Sequence, residues 1–144
     1  MKIEQLSVFL ESEPGQLRLA CDVLAGAGIN IVTLTLADSE RFGILRLIVR
    51  DWQKAKTVLE QAGCVVKVTQ VLAVEVADRP GGLARILAIV DRAGLNIEYM
   101  YAFTEKRGDR AVLVFRFTDP DAAVPVLLGN GINPVQPVEL FSGG

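Results

Sequence analysis

Apolar residues alternate with polar or small ones at Leu6, Val8 and Leu10, and the same alternation returns at Leu72, Val74 and Val76. A period of two lines one face of a strand, so strands are predicted over about 3–11 and 71–77. The period then lengthens: Leu17, Ala20, Val23 and Leu24, and later Leu83, Ile86, Ile89 and Val90, recur at helical spacing. Each helix is expected to carry its proline, Pro14 or Pro80, in the first turn, where a missing N–H costs nothing, and to stop at Gly28 or Gly94. Strand pairs follow at about 30–38 with 42–50 and 96–105 with 109–118. Asp51 and Asp119 read as N-caps of a second helix in each half, the later one with Pro120 at its first position. Pro125 falls inside that helix and predicts that it is irregular or short. Gly63 and Gly131 end these helices, and closing strands are expected at 64–69 and 134–140.

The two halves are related by duplication. Sliding the chain by 66 positions lays Pro14–Ile31 over Pro80–Ile97, with identities at Pro14/Pro80, Gly15/Gly81, Leu17/Leu83, Ala27/Ala93, Gly28/Gly94, Asn30/Asn96 and Ile31/Ile97. Those seven identities in 18 positions compare with roughly one for unrelated segments of average composition. Downstream the offset becomes 68, which places two extra residues in the second hairpin loop near Lys106 to Asp109. The expected architecture is α+β: two ferredoxin-like βαββαβ units, over 1–70 and 71–144, each an antiparallel sheet with helices on one face. With almost no residues between them, the units are expected to pack side by side.

The turn that starts the first helix of each half resembles a known module. Asp78-Arg-Pro-Gly-Gly-Leu83 followed by Ala93-Gly-Leu-Asn-Ile97, and the weaker twin Glu13-Pro-Gly-Gln-Leu17 with Ala27-Gly-Ile-Asn-Ile31, are similar to the ACT domain, a regulatory module that binds small molecules. Spacing between the Pro-Gly and Gly-x-Asn-Ile elements makes the match specific. Gln5-Leu-Ser-Val-Phe9 and Glu98-Tyr-Met-Tyr-Ala-Phe103 further resemble small stand-alone tandem ACT proteins of prokaryotes. The resemblance implies an amino acid or related small acid as ligand, bound at the seam between paired domains or subunits. It carries ligand contacts onto Pro14, Gly15, Gln16, Leu17 and Asn30, and onto Asp78, Pro80, Gly81, Gly82, Leu83 and Asn96.

Elementary chemistry gives the same turn a rationale. A helix N-terminus leaves amides unsatisfied and carries the positive end of the dipole, so a carboxylate is favoured there. Gly15, Gly81 and Gly82 let a ligand approach the main chain, and the Asn30 and Asn96 amides offer a donor and an acceptor at the next strand, where turn and amide are expected to converge. The bland alternative is that Pro-Gly only punctuates the start of the helix and Asn only follows its end. Copy one sets Glu11, Ser12 and Glu13 before its turn, which repels anions, so an α-carboxylate is expected to bind better at copy two, with Asp78 pairing an ammonium. Tyr99, Tyr101 and Phe103 form a period-two stripe that reads as core or interface, or, if it lines the seam, as a wall for a bulky ligand.

Composition narrows the rest. The chain of 144 residues holds 51% hydrophobic residues, 15 Lys+Arg against 17 Asp+Glu, and no His. That suits a packed core, gives no basic surface for nucleic acid, and removes the commonest general base and metal ligand. No catalytic residue, metal or cofactor is expected. Cys21 and Cys64 lie in apolar runs without a CxxC spacing, reading as buried thiols in a reducing cytoplasm. The N-terminus shows no signal-peptide pattern, and the uncharged stretches 23–37 and 122–138 are broken by Gly, Asn and Pro, so no membrane association is expected. Related βαββαβ enzymes and carriers need an Arg-bearing phosphate loop or a CxxC after the first strand, and RNA binders need aromatic and basic sheet strands; none is spelled here. The reading is a non-catalytic amino-acid-binding regulator, expected as a homodimer that acts on a metabolic enzyme in trans. The alternative is an assembly module that docks on a partner enzyme without ligand, for which the charged tip Glu105–Arg110 is one candidate, or else simply a solvated turn.

Overall fold

Leu6, Val8 and Leu10 of β1 (Ile3–Glu11) are buried in one cluster with Ala20 and Leu24 of α1 (Gln16–Gly26). β2 (Ile31–Asp38) and β3 (Phe42–Val49) form the hairpin, and α2 (Trp52–Gln61) adds Ala55 and Leu59 to the same core. Antiparallel register sets Leu6 against Leu47 and Val8 against Leu45, which fixes which face of the sheet meets the helices. Each fully buried leucine here contributes roughly 2 kcal/mol. Strand order in this unit is β2-β3-β1-β4, closed by the first half of β4 (Val65–Ala77). The computed structural model describes residues 1–38, 42–104 and 108–141.

The second unit repeats the plan. Leu72, Val74 and Val76 of β4 share a core with Ile86, Ile89 and Val90 of α3 (Gly82–Arg92) and Ala123 and Leu127 of α4 (Pro120–Gly129). β5 (Ile97–Ala102) pairs with β6 (Arg110–Phe117), and β6 pairs with β4 through Leu72↔Phe115 and Val74↔Leu113. Phe115 and Phe117, two apart on one strand face, stack with ring centroids 5.7 Å apart. One compact unit spans Glu4–Thr69, and the other takes Met1–Ile3 together with residues 70–141. Each is of the α+β, ferredoxin-like kind.

Three local expectations change. The strands expected over 64–69 and 71–77 are one continuous strand, β4, because Thr69-Gln70-Val71 contains no turn residue. α4 is regular and, at ten residues, as long as α2, although Pro125 sits within it; Asp119 capping the Ala122 amide and Pro120 at the start offset the one backbone bond lost. The strand expected over 134–140 shrinks to a single bridge, Val74 with Pro134, followed by the short α5 (Pro137–Phe141). Pro134 and Pro137 have no N–H with which to extend a ladder. Of the charged tip Glu105–Arg110 and the extra loop residues, positions 105–107 lie outside the described residues.

Candidate functional site

Both Pro-Gly pairs form the same turn. Gly15 (φ 89°, ψ −11°) and Gly81 (φ 85°, ψ −6°) hold the third position of a type II turn whose second position is proline. The Gln16 amide donates to the Glu13 carbonyl at 3.4 Å, and the Gly82 amide to the Arg79 carbonyl at 3.0 Å. The prolines therefore lie just ahead of the helices, before glycine N-caps, rather than in the first turn. A positive φ demands glycine at 15 and 81. Gly82 answers a different need: a Cβ there would sit 2.1 Å from the Ala77 carbonyl oxygen.

Glycine caps have a chemical consequence. α2 and α4 begin under aspartates, with the Lys54 amide donating to Asp51 at 3.2 Å and the Ala122 amide to Asp119 at 3.1 Å. α1 and α3 begin with no side-chain cap at all. Their first-turn amides keep the donor capacity that a cap would absorb.

A cleft lies beside each of these helix starts, and the two differ in charge. In the first unit a cavity of about 490 Å³ is lined by Leu10, Leu17, Leu36 and Phe42 together with Glu11, Glu13 and Asp38, and among the described residues no Lys or Arg lines it. In the second unit a cavity of about 460 Å³ is lined by Arg79, Arg85 and Arg110 with Glu75, along the turn Pro80-Gly81-Gly82 and the segment Gly131–Asn133. Arg85 donates from Nη2 to the Asn130 carbonyl at 3.3 Å, and Arg110 Nε lies 4.0 Å from Glu75 Oε2. This cleft flanks β4 on the side where the closing strand gave way to a bridge, with the Asn133 carbonyl accepting from the Glu75 amide at 3.3 Å.

Of the residues singled out from sequence, Pro14, Gln16 and Leu17 line the first cleft and Pro80, Gly81 and Gly82 the second. Gly15, Asp78 and Leu83 do not: Asp78 donates its amide to the Asp109 carbonyl at 3.3 Å, and Leu83 packs on the core. Asn30 and Asn96 line neither cleft. Within one unit they cannot converge with the turn, because they follow the far end of a helix of 11 residues, about 16 Å long. Asn96 Nδ2 instead donates to Thr118 Oγ1 at 2.9 Å. Tyr99 and Tyr101 pair with Arg116 and Val114, on the sheet face opposite Met100 and the helix-packed Phe115. Sequence reasoning missed Glu75, Arg85 and Arg110. The signals were present, since Arg85 is one helical turn beyond Gly82 and the β4–β6 register brings Arg110 opposite Ala77.

Among the described residues no cluster of His, Cys, Asp and Glu has metal-holding geometry, and no helix is long and apolar enough to cross a membrane. Cys21 and Cys64 are half-buried free thiols, and desolvation pushes the Cys64 thiol above its ordinary range.

A family model described as an ACT domain pair matches residues 1–142. The chain belongs to that family. The fold of this ACT domain pair is shared by protein BT0572 from Bacteroides thetaiotaomicron, at 35% identity over 98% of this chain and 96% of that one, with a TM-score of 0.90. The regulatory subunit of aspartate kinase from Thermus thermophilus, in its ligand-free form, shares the fold at 18% identity, 88% and 91% coverage and a TM-score of 0.63. Its counterpart from Thermus flavus does so at 19% identity, 88% and 90% coverage and a TM-score of 0.62. A search of curated proteins finds no match.

Proposed function

We propose that this ACT domain pair is a non-catalytic regulatory protein that binds an amino acid or related small acid. The observation that carries the reading is the second-unit cleft, where three arginines face an α3 N-terminus that lacks a side-chain cap. Cationic side chains and the positive end of the α3 dipole together favour a carboxylate, and a volume of about 460 Å³ suits a small ligand. The regulatory subunits named above support a regulatory role by likeness of fold.

The contact set then comprises Pro80, Gly81 and Gly82 at the second turn, with Pro14, Gly15, Gln16 and Leu17 as the equivalent set at the first. Asp78 and Leu83 flank the second turn and stay in the proposal as neighbours of the ligand. Asn30 and Asn96 contribute from a second copy of the chain, which makes the complete seat a property of a homodimer. Bound ligand would act by favouring one arrangement of paired subunits, a coupling of typically about 1–3 kcal/mol, and would report to a metabolic enzyme in trans in the cytoplasm.

Isothermal titration against the twenty amino acids, with sedimentation to give the oligomeric state, tests this. Saturable binding to at least one of them is expected. A stable oligomer that binds none would overturn the sensor reading in favour of a docking or assembly module.

A further inference from the structure

We infer that Arg85 is the side chain that seats the carboxylate of the ligand in the second-unit cleft, held ready for it by the Asn130 carbonyl. The inference rests on the reading above and deepens it by naming the contact that sets affinity. Arg85 lies one turn into α3 and lines the cleft together with the turn Pro80-Gly81-Gly82 and the segment Gly131–Asn133. Its Nη2 donates to the Asn130 carbonyl at 3.3 Å. That acceptor is itself fixed: Asn130 closes α4, donating its amide to the Leu127 carbonyl at 3.1 Å and its Nδ2 to the Val126 carbonyl at 2.7 Å. The guanidinium is thereby tethered to a backbone point beside the cleft.

The tether leaves Arg85 what a carboxylate needs. A guanidinium carries five N–H donors in a planar fork, and one bond to a neutral carbonyl neither fills that fork nor cancels the charge. Arg110 differs, because its Nε already lies 4.0 Å from the Glu75 carboxylate. An arginine held in one geometry before the ligand arrives also loses less side-chain freedom on binding it.

The duplication supplies an internal contrast. At the offset of 66 the residue matching Arg85 is Leu19, which is exposed and does not line the first-unit cleft. At the offset of 68 Asn130 is matched by Ala62, and Gly131–Asn133 by residues 63–65, which run straight into β4 and do not line that cleft either. The arginine and the backbone carbonyl that tethers it beside an open segment thus occur together in one copy only.

The test is calorimetry on the full chain with each of the twenty amino acids at low and high salt, in the native protein and in Arg85→Gln, Arg85→Lys and Arg18→Gln. Arg85 and Arg18 are both exposed, so circular dichroism and Tm of the free variants should match those of the native protein. Arg85→Gln should weaken the amino acid that binds the native protein about tenfold and flatten the dependence of its affinity on salt. Arg85→Lys, which keeps the charge without the fork, should bind more tightly than Arg85→Gln. Arg18→Gln, which removes an equal charge from α1, should bind as the native protein does. Affinity untouched by Arg85→Gln, or lowered with its salt dependence unchanged, would overturn the role of Arg85 and leave the amino-acid reading standing. Silence of the native protein across all twenty would overturn that reading, and this inference with it.

Discussion

Gly81 and Gly82 stand side by side yet answer to different forces. An alanine at 81, like one at 15, meets open space but must adopt a positive φ, at a cost of about 1 kcal/mol. An alanine at 82 must push against the Ala77 carbonyl, a backbone atom that cannot swing aside, at a cost of about 3 kcal/mol. Urea denaturation of G15A, G81A and G82A should therefore show two mild losses and one severe one. Cys64 allows a second residue-level check. Because burial raises its thiol pKa, less thiolate is present at any pH near neutrality. Iodoacetamide should accordingly alkylate it more slowly at pH 8 than it alkylates an unstructured cysteine.

Helix ends and helix interiors set the behaviour of the elements. Asp51→Ala and Asp119→Ala each remove a cap from a helix that has one, and each should cost about 1 kcal/mol in chemical denaturation. Pro125 lies exposed inside α4, so Pro125→Ala restores a backbone bond without disturbing the core and should raise Tm. The sequence made most elements legible because periodicity and punctuation agreed: Leu6, Val8 and Leu10 alternate, and Asp51 and Asp119 cap where a new helical period begins. It made the Pro-Gly turn legible as a turn, and the type II geometry accounts for both residues without any ligand. The lost closing strand was also written in the chain, in Pro134 and Pro137, but similarity to the first copy outweighed it. What could not be read locally was the cleft. Glu75, Arg85 and Arg110 are far apart in sequence and meet only through strand register and one helical turn. Asn96 lies away from the turn of its own unit for a related reason, since proximity of two elements says nothing about which of their ends are close.

At the scale of the whole molecule, a ligand that binds only the folded chain stabilises it by mass action. At a hundredfold excess over Kd the gain is about 2.7 kcal/mol, and Tm should rise by roughly 5–10 °C in a thermal-shift assay with an amino acid that binds in calorimetry. High salt should erase much of that rise, because the cleft's arginines are exposed. The bridge at Pro134 has one more consequence. The stretch that floors the arginine cleft is tied to β4 by bonds such as Val135 N–H to the Ala73 carbonyl at 2.7 Å, with no ladder on either side to share the load. Its amides should take up deuterium sooner than those of the closing strand in the first unit, and an occupied cleft should slow them, so a single C-terminal peptide becomes the gauge of whether the cleft is filled.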